Sequence, residues 1–108
     1  MNEAMEKKCL EIARYYGFDA QTNQLIEECA ELIQAINKYK RKHIGGQPLD
    51  VQVSTWNQVV EEIADVEVML CQIKQLFGIT EHEVEDVAER KIERTMMRME
   101  ETTREEQQ

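Results

Sequence analysis

Two acidic pairs stand at i,i+3 spacing in this chain: Glu28 with Glu31, and Glu62 with Asp65. At 3.6 residues per turn, about 100° per residue, the members of each pair share one helix face. In the first segment the apolar arc is centred near Cys29 and Ile36, with Glu28 along its edge and Glu31 one turn on. Glu27 points nearly opposite that arc, toward water. In the second segment Val59, Val66, Leu70, Ile73 and Phe77 define the expected buried stripe. Glu62 falls inside its flank, bounded by Val59, Val66, Met69 and Ile73, and Asp65 sits on the rim. Glu61 and Glu67 fall on the other flank and face solvent.

An ionised carboxylate in an apolar setting costs several kcal/mol unless something compensates it. Two antiparallel helices carrying such pairs aim four carboxylates into one gap, where they raise each other's pKa or recruit a cation. Four carboxylates without His or Cys make a hard oxygen site, suited to Mg²⁺ or Mn²⁺ rather than zinc. Further on, Lys91, Arg94 and Arg98 follow a three-and-four spacing along one helix edge, with Arg90 just outside. Such a strip would grip a polyanion held by divalent ions. Together these features read as a site for a metal-bound phosphate chain, with one less committed carboxylate to orient or deprotonate a water. The plainer alternative is an acidic chain whose carboxylates meet an apolar edge by chance, with i,i+4 pairs such as Asp86–Arg90 lacing an ordinary solvated helix.

Four helices must position these groups. Met5, Cys9, Ile12, Ala13 and Tyr16 step by threes and fours through a first helix over about 2–16. Gly17 is placed to stop it, and Asp19 to cap the next. The second helix spans about 20–43, carrying Leu25, Cys29, Leu32, Ile33 and Ile36. Gly45, Gly46 and Pro48 then open a loop expected to reach Ser54. Thr55-Trp56-Asn57-Gln58 fits a capping box for a third helix that ends near Phe77, before Gly78. Thr80-Glu81-His82-Glu83 is a second capping box and opens a fourth helix to about Glu101, its apolar face holding Val84, Val87, Ala88, Thr95 and Met99. The expectation is an all-α antiparallel bundle: a single domain over 1–101, with a frayed tail at 102–108.

Composition agrees. The 108 residues suit one domain, and four Gly and one Pro are too few for a turn-rich β fold. With 13 Lys+Arg against 22 Asp+Glu, the net charge of −9 disfavours nucleic acid and anionic membranes as partners. No apolar run is long enough to span a bilayer, and the charged N-terminal stretch lacks the apolar region of a signal peptide. Cys9, Cys29 and Cys71 form no CxxC pair and are expected as small buried hydrophobes. A cytoplasmic location is the default expectation. Broad apolar arcs exceed what four helices of one small chain can cover, so a homo-oligomer is expected.

The segments IEECAELIQAINKYKR and NQVVEEIADVEVMLCQI resemble the MazG-like, all-α nucleoside triphosphate pyrophosphohydrolases. That family is marked by EExxE on one helix and ExxD on the next, matched here by Glu27-Glu28-Cys29-Ala30-Glu31 and Glu62-Ile63-Ala64-Asp65. The similarity runs over roughly residues 15–99, with a slightly longer gap between the motifs than is commonest. The resemblance implies a four-helix bundle of that type and Mg²⁺-dependent cleavage of a (d)NTP to (d)NMP and pyrophosphate, with Mn²⁺ as a substitute ion. It implies Glu28, Glu31, Glu62 and Asp65 as metal ligands and catalytic carboxylates, with Glu27 supporting the site or a water. It places Lys91, then Arg94 and Arg98, on phosphates. Gln24, Trp56 and Asn57 become candidates for the base, although Trp56 also suits a core. It further implies a homodimer or homotetramer.

Three rivals stand beside this reading. One is a catalytically silent bundle that binds a nucleotide or partner, and another is a phosphoribosyl-ATP pyrophosphohydrolase-like activity. A di-iron carboxylate bundle needs Glu-x-x-His on two helices, which His43 and His82 do not supply.

Overall fold

The computed structural model describes residues 1–108 and contains helices only. They are α1 (Glu3–Tyr16), α2 (Phe18–Ile44), α3 (Leu49–Phe77) and α4 (Glu81–Gln107). The chain divides into two compact units, Met1–Gly78 and Ile79–Gln108.

Within the first unit, the helix ends follow local chemistry. The Asn2 side chain accepts a hydrogen bond from the Met5 backbone N–H at 2.9 Å, capping α1. Gly17, at φ 86°, ends α1 and starts α2 within one residue, a conformation that only glycine adopts cheaply. Asp19 therefore lies inside the first turn of α2 and not at its cap. There its negative charge suits the positive end of the helix dipole. Gly78 closes α3 in the left-handed conformation, as its position in the sequence predicts.

The largest departure is the start of α3. The expected loop to Ser54 shrinks to four residues, and α3 begins at Leu49 directly after Pro48. Proline has a fixed φ compatible with a helix start, and its carbonyl accepts from the backbone N–H groups of Val51 and Gln52. The Gln52 side chain reaches back to the Gln47 carbonyl at 2.7 Å. Thr55 is consequently no cap. It is buried mid-helix, with its hydroxyl donating to the carbonyls of Val51 and Gln52.

In this unit α3 packs against both α1 and α2, so it buries two faces. Cys9 and Ala13 of α1, Ala35 of α2, and Met69 and Cys71 of α3 form the core. Small side chains dominate and no large one is fully enclosed. Several expected core positions are therefore exposed, among them Met5, Ile12 and Tyr16 on α1, Ile33 and Ile36 on α2, and Leu70 and Phe77 on α3. Met69 takes a buried place instead, while Cys9 and Cys71 are buried as expected and Cys29 is half-buried. Phe77 stacks on Phe18 with ring centroids 5.5 Å apart, joining the end of α3 to the start of α2.

The α2–α3 hairpin sets the register of the site. Late residues of α2 meet early residues of α3, as Lys38 and Arg41 share a cleft with Gln58. The helices are thus antiparallel, and residues equally far from the Gly45–Pro48 turn come level. Glu31 and Glu62 share that cleft, and Glu28 clusters with Glu62 and Asp65.

The second unit is one helix and the Ile79–Thr80 segment that enters it. Thr80 and Glu83 form the expected capping box, each side chain bonding the other's backbone N–H. The helix continues past Glu101 to Gln107, through the stretch expected to fray. No residue of α4 is buried within the unit, and Ala88 alone is half-buried. Asp86 pairs with His82 at 3.6 Å, while Arg90 donates to the Asp86 carbonyl and not to its carboxylate. His82 is a surface residue.

Candidate functional site

Glu28, Glu62 and Asp65 each offer a carboxylate oxygen, and these three atoms lie within 4.8 Å of one another. Glu28 and Glu62 are half-buried against the hairpin seam, and Asp65 is exposed at its mouth. The wheel reading of Glu62 inside an apolar flank thus has a structural counterpart. One oxygen of each half-buried acid, Glu28 Oε2 and Glu62 Oε2, is shielded from solvent and has no hydrogen-bond partner. A shielded carboxylate oxygen without a donor is costly, and two of them in one cluster are costlier through mutual repulsion.

Glu31 stands beside the trio and is exposed. Its carboxyl is held above the ordinary range, mainly by the charge of Glu28, then by loss of solvation and by a side-chain hydrogen bond with Glu28, and more weakly by the charges of Glu62 and Asp65. All four expected acids are therefore within electrostatic reach of one another, as the i,i+3 pairing requires. Glu27, Glu61 and Glu67 are exposed.

Gln24 sits one turn before Glu28, and its amide donates a 2.8 Å hydrogen bond to Glu28 Oε1. It holds a candidate metal ligand in place, a role different from the base contact expected of it. Gln21, a further turn back, is buried with its Oε1 unpartnered, and Gln72 opposite is buried too. The burial of these two amides was invisible in an apolar-versus-charged reading of the wheels.

A cleft of about 590 Å³ opens from Glu31 and Glu62 toward the turn end of the hairpin. Ala35 forms part of its wall, and Gln58, Lys38 and Arg41 line it. The sequence reading sought cations on helix four and missed Lys38 and Arg41. The signal was present, since both continue the face of Glu31 at helical spacing. Lys91, Arg94 and Arg98 lie on α4, in the second unit, and are exposed. Lys91 borders an apolar groove of that helix formed by Ile79, Val84, Val87 and Ala88.

Of the remaining base candidates, Trp56 is more than half exposed and belongs to no core. Asn57 lines a shallow groove along α3 with Leu49, Val53 and Glu61. No helix of the protein is long and apolar enough to cross a membrane.

The donor set fits a hard divalent cation: it is all carboxylate oxygen, it carries uncompensated charge, and two of its oxygens lack any other partner. No family model, curated protein or solved structure matches this chain.

Proposed function

We propose that this chain is a Mg²⁺-dependent nucleoside triphosphate pyrophosphohydrolase of MazG-like type, cleaving a (d)NTP to (d)NMP and pyrophosphate. The observation that carries the reading is the pair of shielded, unpartnered oxygens, Glu28 Oε2 and Glu62 Oε2, in a cluster with Asp65. A fold holds such a pair only against repulsion, and a divalent cation is the ligand that relieves it.

Glu28, Glu62 and Asp65 would hold the ion, with Mn²⁺ as a substitute. A bound divalent ion supplies charge neutralisation at the phosphoryl oxygens and acidifies coordinated water. Gln24 fixes the direction of Glu28 through the 2.8 Å bond. Glu31, exposed beside the trio, is the carboxylate left over to accept a proton from water. In the reaction, a water oxygen bonds to phosphorus at the α–β anhydride. The bridging P–O bond breaks, its electron pair leaves with pyrophosphate, and the water proton passes to the Glu31 carboxylate.

The numerous exposed large apolar residues, including Ile26, Ile33, Tyr15 and Leu49, support assembly into a homodimer or homotetramer. The antiparallel four-helix bundle belongs to the same proposal.

The test is incubation with separate NTPs and dNTPs, and with phosphoribosyl-ATP, in Mg²⁺, reading pyrophosphate release. Release that EDTA abolishes is the expected result. Silence across the whole panel, with Mn²⁺ also tried, would sink the enzymatic reading and leave a binding protein.

A further inference from the structure

Sequence charge is distributed unevenly along α2. Lys38, Lys40, Arg41 and Lys42 place four of the 13 Lys+Arg of an acidic chain within five residues. A basic last turn suits the helix dipole, and that alone would explain a cationic end. It does not explain which of the cations face the acids. Lys38 and Arg41 line the cleft that also contains Glu31 and Glu62, while Lys40 lies half a turn round the helix and does not.

Neither cleft cation is neutralised by its acidic neighbours. The side chains of Lys38 and Arg41 make no hydrogen bond or ion pair, although Glu31 and Glu62 share the same cavity. Along the helix, Lys38 follows Glu31 by seven residues, a rise of about 10 Å. Arg41 lies a further turn on. A ligand that meets the acids through a divalent ion and the cations directly must therefore carry negative charge at several consecutive points. A phosphate chain does so, whereas a single carboxylate or phosphate reaches one end alone. Buried Ala35 lines the same cleft as the acids and the cations.

We propose that Lys38 and Arg41 seat the outer phosphates of the substrate, so that the chain of phosphates lies along α2. The leaving pyrophosphate then points toward the Gly45–Pro48 turn, and the nucleoside toward Gln24. This deepens the pyrophosphohydrolase reading and rests on the acid cluster as the place of cleavage. It assigns the phosphate grip to the hairpin itself, independently of the α4 cations. Arginine contributes a two-pronged contact to phosphate oxygens and lysine a mobile point charge.

The test separates the seat from the chemistry. Inorganic tripolyphosphate with Mg²⁺ is titrated by calorimetry into the parent chain, Lys38→Ala, Arg41→Ala, the double variant and Lys40→Ala. Turnover of a dNTP is followed in parallel, and circular dichroism verifies the fold of each exposed-residue variant. Each cleft substitution should raise Kd on the order of tenfold or more, with Lys40→Ala near the parent value. That pattern supports the seat whether or not the parent turns over nucleotide, and a parent that binds without turnover refutes only the hydrolytic reading. Equal binding by the parent and the double variant overturns the seat, and persistent turnover in that case leaves the enzyme reading intact. The seat is equally overturned if the parent does not bind tripolyphosphate, or if Lys40→Ala weakens binding as much as Lys38→Ala does.

Discussion

The Gln24 amide donates to Glu28 Oε1 at 2.8 Å, which leaves Glu28 Oε2 turned into the hairpin seam without a partner. One oxygen is thus pinned while the Glu28 carboxylate keeps an oxygen within 4.8 Å of those of Glu62 and Asp65. An outer amide that orients a ligating carboxylate is commonly worth tenfold to a hundredfold in metal affinity or activity. Gln24→Ala should therefore raise the Mn²⁺ dissociation constant by about tenfold while the helical content stays unchanged. Manganese titration by electron paramagnetic resonance measures this directly. An unchanged constant would remove Gln24 from the site.

Glu62 carries the sharper trade-off. It is half-buried, its Oε2 lacks a donor, and Glu28 and Asp65 lie beside it. Without divalent ions, Glu62→Gln removes one of the mutually repelling charges. The apo protein should melt a few degrees higher, on the order of 1 kcal/mol for a domain of this size. In Mg²⁺ the order should invert, because the parent gains stability from binding and the variant does not. Pyrophosphate release by the variant should fall on the order of a hundredfold or more. Glu67→Gln, on an exposed part of the same helix, should leave melting and release unchanged. Paired thermal scans with and without Mg²⁺ read both effects.

How much of this was legible in residues alone depended on which physical signal wrote them. Gly17, Gly78 and the Thr80–Glu83 box are local, since a backbone conformation or a three-residue hydrogen bond decides them, and each stands where the string places it. The acid quartet was legible because two i,i+3 pairs fix directions on a helix before any packing is known. The start of α3 was misplaced because Gly-Gly-x-Pro reads as a long break, while Pro48 can also begin a helix at once. Core positions were less legible than helices. A wheel identifies one apolar face, but α3 meets α1 and α2 on two, so Met69 is buried and Leu70 beside it is not. Lys38 and Arg41 were overlooked because the cleft depends on the hairpin register, which the shorter turn resets.

The α4 cap predicts an acid-sensitive helix start. The Glu83 carboxyl lies below its ordinary range, chiefly through the backbone N–H of Thr80 and then through its hydroxyl. A carboxylate held lower in the folded state contributes stability above its unfolded pKa. That contribution is lost as the pH falls through the folded value. Helicity at the start of α4, followed by amide chemical shifts of residues 81–85, should therefore weaken in the acid limb. Glu83→Gln should flatten that limb, since an amide does not titrate. Thr80→Ala should weaken the same signals at neutral pH by removing the hydroxyl that accepts from the Glu83 backbone N–H and donates to its carboxylate, while the backbone N–H of residue 80 still donates to Glu83.

Cys71 predicts the alkaline counterpart. Its thiol is buried between α1 and α3 and is pushed up to about 11 from 9.0, first by burial and then by the adjacent thiol of Cys9. At pH 8 a rise of that size lowers the reactive thiolate about a hundredfold, before any steric shielding is counted. Cys29, half-buried on α2, has no comparable enclosure. A thiol reagent that releases a coloured anion should thus show a rapid phase from Cys29 and a slow one from the two buried thiols, Cys9 and Cys71. The slow phase should accelerate in denaturant and lose about half of its amplitude in Cys71→Ala. Because folding raises this pKa, the stabilising contribution is complete below the unfolded value and disappears as the pH climbs from about 9 toward about 11. Denaturant midpoints measured across that window should fall in the parent and fall less in Cys71→Ala, whatever the absolute stability of the variant. Equal slopes in the two proteins would show that the thiol at this position is as free to ionise in the folded chain as in the unfolded one.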